Sequence, residues 1–186
     1  IQFANGGNGR IGILPDSSGY LGNTISGNQG NGMLIHFGST ALIGGNIISG
    51  NGVATVNGVA LGPGSRSGVF LSQAAANFIG HNTIESNPDS GIFVRQGQLF
   101  LGNSWANLDT TGNVIRLNGC GSEAGSNRSG VFMFDGSTGE IRSTTLTANC
   151  GSNVQMFFGG TLDIRGSTLS SADPQRGTPA GTPGML

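Results

Sequence analysis

Glu140-Ile141-Arg142 and Asp163-Ile164-Arg165 repeat one charge pattern at an interval of 23 residues. Two carboxylates brought side by side could act as acid and nucleophile on a glycosidic bond, with the arginines holding an anionic sugar. Glu140, Asp163, Arg142 and Arg165 are therefore the candidate catalytic set. The competing expectation, and the favoured one, is a surface lattice in which each Arg pairs with a neighbouring acid and does no chemistry. His36 and His81 add nothing to this set, since they fall in different segments and form neither a metal cluster nor a nucleophile–base pair. No metal and no cofactor are expected.

The interval of 23 belongs to the whole chain. A hexapeptide-like signal recurs as GNTISGN from Gly22, GNIISGN from Gly45, HNTIESN from His81 and GNVIRLN from Gly112, with relatives STTLTAN from Ser143 and GSTLSSA from Gly166. A second signal, glycine followed by an alternating apolar run, starts at Gly32, Gly68, Gly91 and Gly130. The two signals stand 14 residues apart from Gly9 to Asn23, Gly32 to Asn46, Gly68 to Asn82, Gly130 to Thr144 and Asn153 to Ser167. A period in the twenties, with apolar residues alternating two by two and no helical period between them, is that of a β-solenoid. The expected fold is all-β: a right-handed parallel β-helix of about six coils, with a 23-residue core repeat.

In that register Ile25, Ile48, Ile84, Ile115, Leu146 and Leu169 stack inward on one wall, and Val69, Ile92, Val131 and Val154 on another. Asn23, Asn46, Asn82 and Asn113 form one corner ladder, and Asn28, Asn51, Asn87, Asn118 and Asn149 form a second. Asn suits a corner because it tolerates the left-handed conformation and its amide bonds to the next amide in the stack, so both ladders are structural. The helix is expected over 1–172, with insertions near 52–65, 104–112 and 119–129 and a Pro/Gly-rich extended tail over 173–186. Cys120 and Cys150 follow ladder asparagines at nearly the same corner of adjacent coils, which suits a disulfide and a secreted protein. The only Asn-x-Ser/Thr sequon, Asn127-Arg128-Ser129, lies in the insertion rooted there.

The glycine-led and Asn-Thr-Ile signatures, spread over residues 9–172, resemble the parallel β-helix repeats of the pectate-lyase-like superfamily. That resemblance implies the fold; the group spans polysaccharide lyases, polygalacturonases, epimerases, phage tailspikes and surface adhesins, so it implies no one activity. The catalytic signatures of its enzymes are missing: there is no aspartate cluster for calcium, no lysine, and no Asp-Asp or His-Gly pairing of the polygalacturonase kind.

The outward positions of the glycine-led strand carry more information. Two residues after the repeat glycine stand Ile11, Leu34, Phe70, Phe93, Phe132 and Gln155; four after stand Ile13, His36, Ser72, Arg95, Phe134 and Phe157. A Phe-rich outer stripe marks a surface covered by the 52–65 insertion or the tail, or contacted by another protein. Phe in place of Trp or Tyr points to protein contact over glycan contact. Leu34, Phe70, Phe93, Phe132, Phe134 and Phe157 are the candidate interface. An outward Thr row (Thr24, Thr83, Thr145, Thr168) of the ice-binding kind is broken by Ile47 and Val114 and flanked by Glu85 and Arg116.

Composition narrows the partners. Charge is 9% of the chain and the net charge is −1, with eight basic residues, all Arg, against nine acids; no basic stripe exists for nucleic acid. No apolar run is long enough to span a bilayer as a helix. No amphipathic capping segment flanks the repeats, so either the caps lie outside this chain or the rod stacks on something. The expected function is that of an extracellular or cell-surface structural or adhesive β-helix. It would self-associate, or bind a protein, through the Phe-rich face or the rod ends. Processing or binding of a polysaccharide is the alternative.

Overall fold

The computed structural model describes residues 1–16, 18–52, 66–102, 112–121 and 128–170, together with the backbone of 55–56 and 59–60. Among these residues the regular structure is strand only, arranged as six successive coils of three strands. The coils comprise β1 (Gln2–Phe3), β2 (Asn8–Ile11) and β3 (Thr24–Ser26); β4 (Met33–His36), β5 (Thr40–Gly44) and β6 (Ile47–Ser49); then, after a short antiparallel hairpin of β7 (Thr55–Val56) and β8 (Val59–Ala60), β9 (Val69–Ser72), β10 (Ala75–Gly80) and β11 (Thr83–Glu85). They continue with β12 (Ile92–Arg95), β13 (Gln98–Leu101) and β14 (Val114–Arg116); β15 (Ser129–Phe134), β16 (Thr138–Arg142) and β17 (Thr145–Thr147); and β18 (Ser152–Phe157), β19 (Thr161–Arg165) and β20 (Thr168–Leu169). Like strands of successive coils pair in parallel, giving three six-stranded walls: the first from β1 to β18, the second from β2 to β19, the third from β3 to β20. This is the expected parallel β-helix.

Strict alternation along each short strand puts one residue set inside. Ile48, Ile84, Ile115 and Leu146 are fully buried on the third wall, and Val69, Ile92 and Val131 on the first, each in register with its neighbours. Burying such a side chain contributes roughly 1.5–3 kcal/mol, so the core is a sum of stacked rows.

The first coil departs from the expected register. Gly9 pairs with Ala41 and Ile11 with Ile43, so both belong to the second wall, and the first-wall strand of this coil is β1, with Phe3 opposite Ile35. Ile11 is buried inside and does not face outward, while Ile13 bridges to Tyr20 in an excursion between β2 and β3. The apparent 14-residue match from Gly9 to Asn23 arises because this excursion replaces the residues that a plain coil would use. The corner is shaped for it: Gly44 and Gly45 have no Cβ where the Tyr20 side chain packs. Most of the 52–65 and 119–129 insertions, residues 103–111 and the tail from 171 lie outside the described residues.

Both Asn ladders form, but for only one of the two expected reasons. The ladder asparagines do not take the left-handed conformation; the residue before most of them does, as at Gly45, His81, Gly50, Ser86, Leu117 and Ala148. That kink turns the Asn side chain inward. Asn118 Nδ2 donates to Asn149 Oδ1 in the coil above (3.1 Å), to the Ile84 carbonyl in the coil below (2.9 Å) and to the Arg116 carbonyl (2.9 Å). Its Oδ1 accepts from the Asn87 side chain (2.9 Å) and backbone N–H (3.2 Å). Asn46, Asn82, Asn51 and Asn87 repeat this bonding between coils.

The ladder explains the glycines. A Cβ on Gly32, Gly68, Gly91 or Gly130 would come within 2.7–2.8 Å of a ladder Asn Nδ2 and of the carbonyl of the equivalent residue one coil on. The last coil reverses the rule: Asn153 stands in the glycine position, and its Oδ1 accepts from Asn149 Nδ2 at 2.9 Å, where a further ladder amide would otherwise be.

Asn118→Ala removes the side-chain bonds to the coils on both sides and the acceptor of the buried Asn87 N–H, and is expected to lower the unfolding free energy by about 2–4 kcal/mol. The exposed first-coil change Asn28→Ala should cost less than about 1 kcal/mol. Denaturant midpoints that move equally for the two would show that the ladder does not hold the coils.

Candidate functional site

The first wall turns its outward side chains into an aromatic column. Register places Leu34, Phe70, Phe93, Phe132 and Gln155 in one row and His36, Ser72, Arg95, Phe134 and Phe157 in the next. Phe93 lies 5.1 Å from both Phe70 and Phe132, and is stacked on the latter. Phe132 also meets Phe134 and Phe157 at 6.2 and 5.7 Å, and Phe134 meets Phe158 edge-on at 5.1 Å. Such pairs add about 0.5–1.5 kcal/mol each beyond area burial.

Burial divides this set in two. Phe93 and Phe132 are only 5% and 2% exposed, so they belong to the wall's own packing, whereas Phe157 is 41% and Phe158 76% exposed. Leu34, Phe70 and Phe134 are half-buried. Within this column the accessible rings therefore lie on the last two coils, while Phe37, 54% exposed, stands apart in the corner after β4. Phe158 was not among the expected interface residues because it sits in the corner after β18, in the left-handed conformation shared by Phe37, Gln73, Gln96 and Asp135. A strand alternation does not extend to that corner.

The charged set lies on the second wall. Glu140 is paired in register with Asp163, and Arg142 with Arg165, so the two tripeptides do stack. Each carboxylate is taken by the guanidinium two residues along its own strand: Arg142 bonds Glu140, and Arg165 Nη2 lies 2.5 Å from Asp163 Oδ2. The hydrogen bond and charge of Asp163, with a smaller contribution from Glu140, hold the Arg165 guanidinium above its ordinary pKa. Four charges in this arrangement neutralise one another at the surface. A shallow hollow on the same wall, lined by Asn8, Arg10, Thr40, Leu42 and Asn77, includes neither carboxylate.

The histidines are placed apart. His36 is on the first wall, with Nε2 at 2.9 Å from Gln2 Nε2, and His81 is at the corner of the second and third walls, its ring 4.9 Å from that of Tyr20. The Thr row of the third wall is interrupted where expected, with Thr83 beside Ile47 and Val114. The outer edge of the same wall carries an Arg116–Glu85 pair at 2.7 Å.

One charged pair was not anticipated. Arg66 and Asp89 occupy the corner position two residues before the repeat glycine in successive coils, and Arg66 clasps the carboxylate through Nη2 (2.9 Å) and Nε (3.3 Å). Both side chains are 8% exposed, so the pair ties adjacent coils directly after the 52–65 insertion in sequence. Equal spacing from Gly68 and Gly91 was the available signal.

Cys120 and Cys150 form a disulfide with a Cα–Cα distance of 5.2 Å, closing a separation of 30 residues across the same edge of the helix. Asn127 lies outside the described residues. Among the described residues no helix is long and apolar enough to cross a membrane.

Three parallel walls, coil-to-coil registry and buried Asn corners define a parallel β-helix solenoid. The sequence agrees: residues 2–170 match the family model for the right-handed β-helix region, and the chain belongs to that family. No curated protein and no solved structure matches the chain.

Reduction of Cys120–Cys150 releases a loop of about 30 residues, for which chain entropy gives a stability loss of about 3–4 kcal/mol. A denaturant midpoint unchanged by reducing agent would show that the Asn ladder alone fixes this corner.

Proposed function

We propose that this chain is an extracellular structural or adhesive β-helix, which associates with itself or with a protein partner through the Phe-bearing end of its first wall. The observation that carries the reading is the aromatic column from Phe70 to Phe158, whose buried members hold the exposed ones in place. A rigid aromatic surface loses little conformational entropy on contact, and aromatic anchors dominate protein interfaces. The disulfide fits an oxidising compartment, and the near-zero net charge imposes little repulsion between copies. The charged set argues against polysaccharide turnover, because both carboxylates are already engaged by arginines of their own strands.

The test separates accessible from buried phenylalanines. Phe134→Ser and Phe157→Ser should reduce association, measured by light scattering over a concentration range, while lowering the unfolding free energy by only about 1–3 kcal/mol. Phe132→Ser should lower stability by about 3–5 kcal/mol, and Glu140→Gln should change neither property. Association that survives both Phe134→Ser and Phe157→Ser would overturn the assignment of the aromatic wall.

A further inference from the structure

The two ends of the rod differ. In the first coil Ile11 and Ile25 are only 6% and 8% exposed, whereas their row partners in the last coil, Ile164 and Leu169, are 39% and 45% exposed. Among the described residues β18, β19 and β20 have a neighbour on one side only, so this end presents unpaired strand edges around core-facing apolar side chains.

A further coil in the same parallel register does not fit that end. At each repeat glycine an added Cβ meets the next coil's carbonyl at 2.7–2.8 Å, and Asn153 carries such a Cβ. Its amide already fills the ladder site. The cover must therefore approach in another orientation.

We propose that the last coil is the interface of a two-fold symmetric dimer, in which β19 pairs antiparallel with β19 of a second copy about Ile164. This rests on the self-association reading above and names its geometry. Charge supports the choice. An antiparallel pair centred on Ile164 sets Asp163 of each copy opposite Arg165 of the other, so the strand is complementary to itself. The same rotation brings β18 of one copy against β20 of the other, covers Ile164 and Leu169, and closes the assembly at two chains.

Charge exchange tests this in the full chain. Asp163→Arg puts two guanidiniums opposite Arg165 and Asp163→Arg of the other copy's strand, and should weaken dimerisation about tenfold or more by sedimentation equilibrium. The fold is not threatened, because the new guanidinium lies beside Glu140. The double variant Asp163→Arg/Arg165→Asp restores opposite charges across the two-fold and should recover the dimer. Loss in the single variant without recovery in the double overturns the two-fold arrangement. Association that is unchanged in Asp163→Arg but lost in Phe134→Ser and Phe157→Ser overturns the end-on dimer and leaves the aromatic wall standing. A single-chain mass at every concentration overturns the dimer and self-association through either surface.

Discussion

A buried side-chain amide that must satisfy groups in three coils at once is the constraint from which most of this molecule follows. Corners of a solenoid bury polar groups, and leaving them unpaired is costly. Asn51, Asn87, Asn118 and Asn149 answer this by donating to the carbonyls of Ile25, Ile48, Ile84 and Ile115 in the coil below. To aim the amide inward the preceding residue takes a left-handed conformation, and to make room for it a glycine opens the same coil. The left-handed residue, the inward Asn and the glycine are thus one device repeated. Parallel strands of three or four residues, weak when isolated, gain their registry from it.

Because the device acts only between neighbouring coils, it leaves the outward positions free. Those positions carry aromatic rings on the first wall, mixed charge and polar groups on the second, and an interrupted hydroxyl row on the third. Insertions fall between strands in sequence and not within them, since a strand insertion would move a whole row from inside to outside. The Tyr20 excursion shows the local cost of accommodation, borne by Gly44 and Gly45, which also serve the ladder as the carbonyl that Asn46 bonds and the left-handed residue before it.

The fold was legible because its causes are local and recur. Ile48, Ile84 and Ile115, with an Asn two residues before and three after, need only be aligned to reveal inward rows and corners. Gly9 misled because spacing alone marks it, whereas a true repeat glycine is marked by its contact with a ladder amide, which spacing does not encode. Arg66 and Asp89 were hidden for a related reason: they occupy equivalent positions but differ in type, so no conserved letter signals the pair. Among the candidate interface residues alternation found the outward face correctly, yet it could not separate Phe132 from Phe157, because burial there depends on which rings stack.

The same logic bears on the ends of the rod. A repeat protein is held by nearest-neighbour terms, so its terminal units are the least stable unless their sequence departs from the consensus. The last coil departs in two places, with Asn153 for glycine and Ser167 for the ladder Asn, and both departures satisfy the coil beneath: Asn153 accepts from Asn149, and Ser167 Oγ accepts from the Thr144 N–H. The amide ladder is thereby closed while the apolar row at Ile164 and Leu169 is not. Among the described residues, polar termination without apolar cover leaves hydrophobic burial as the unmet term at that end, and burial, unlike the ladder, imposes no direction on what covers it.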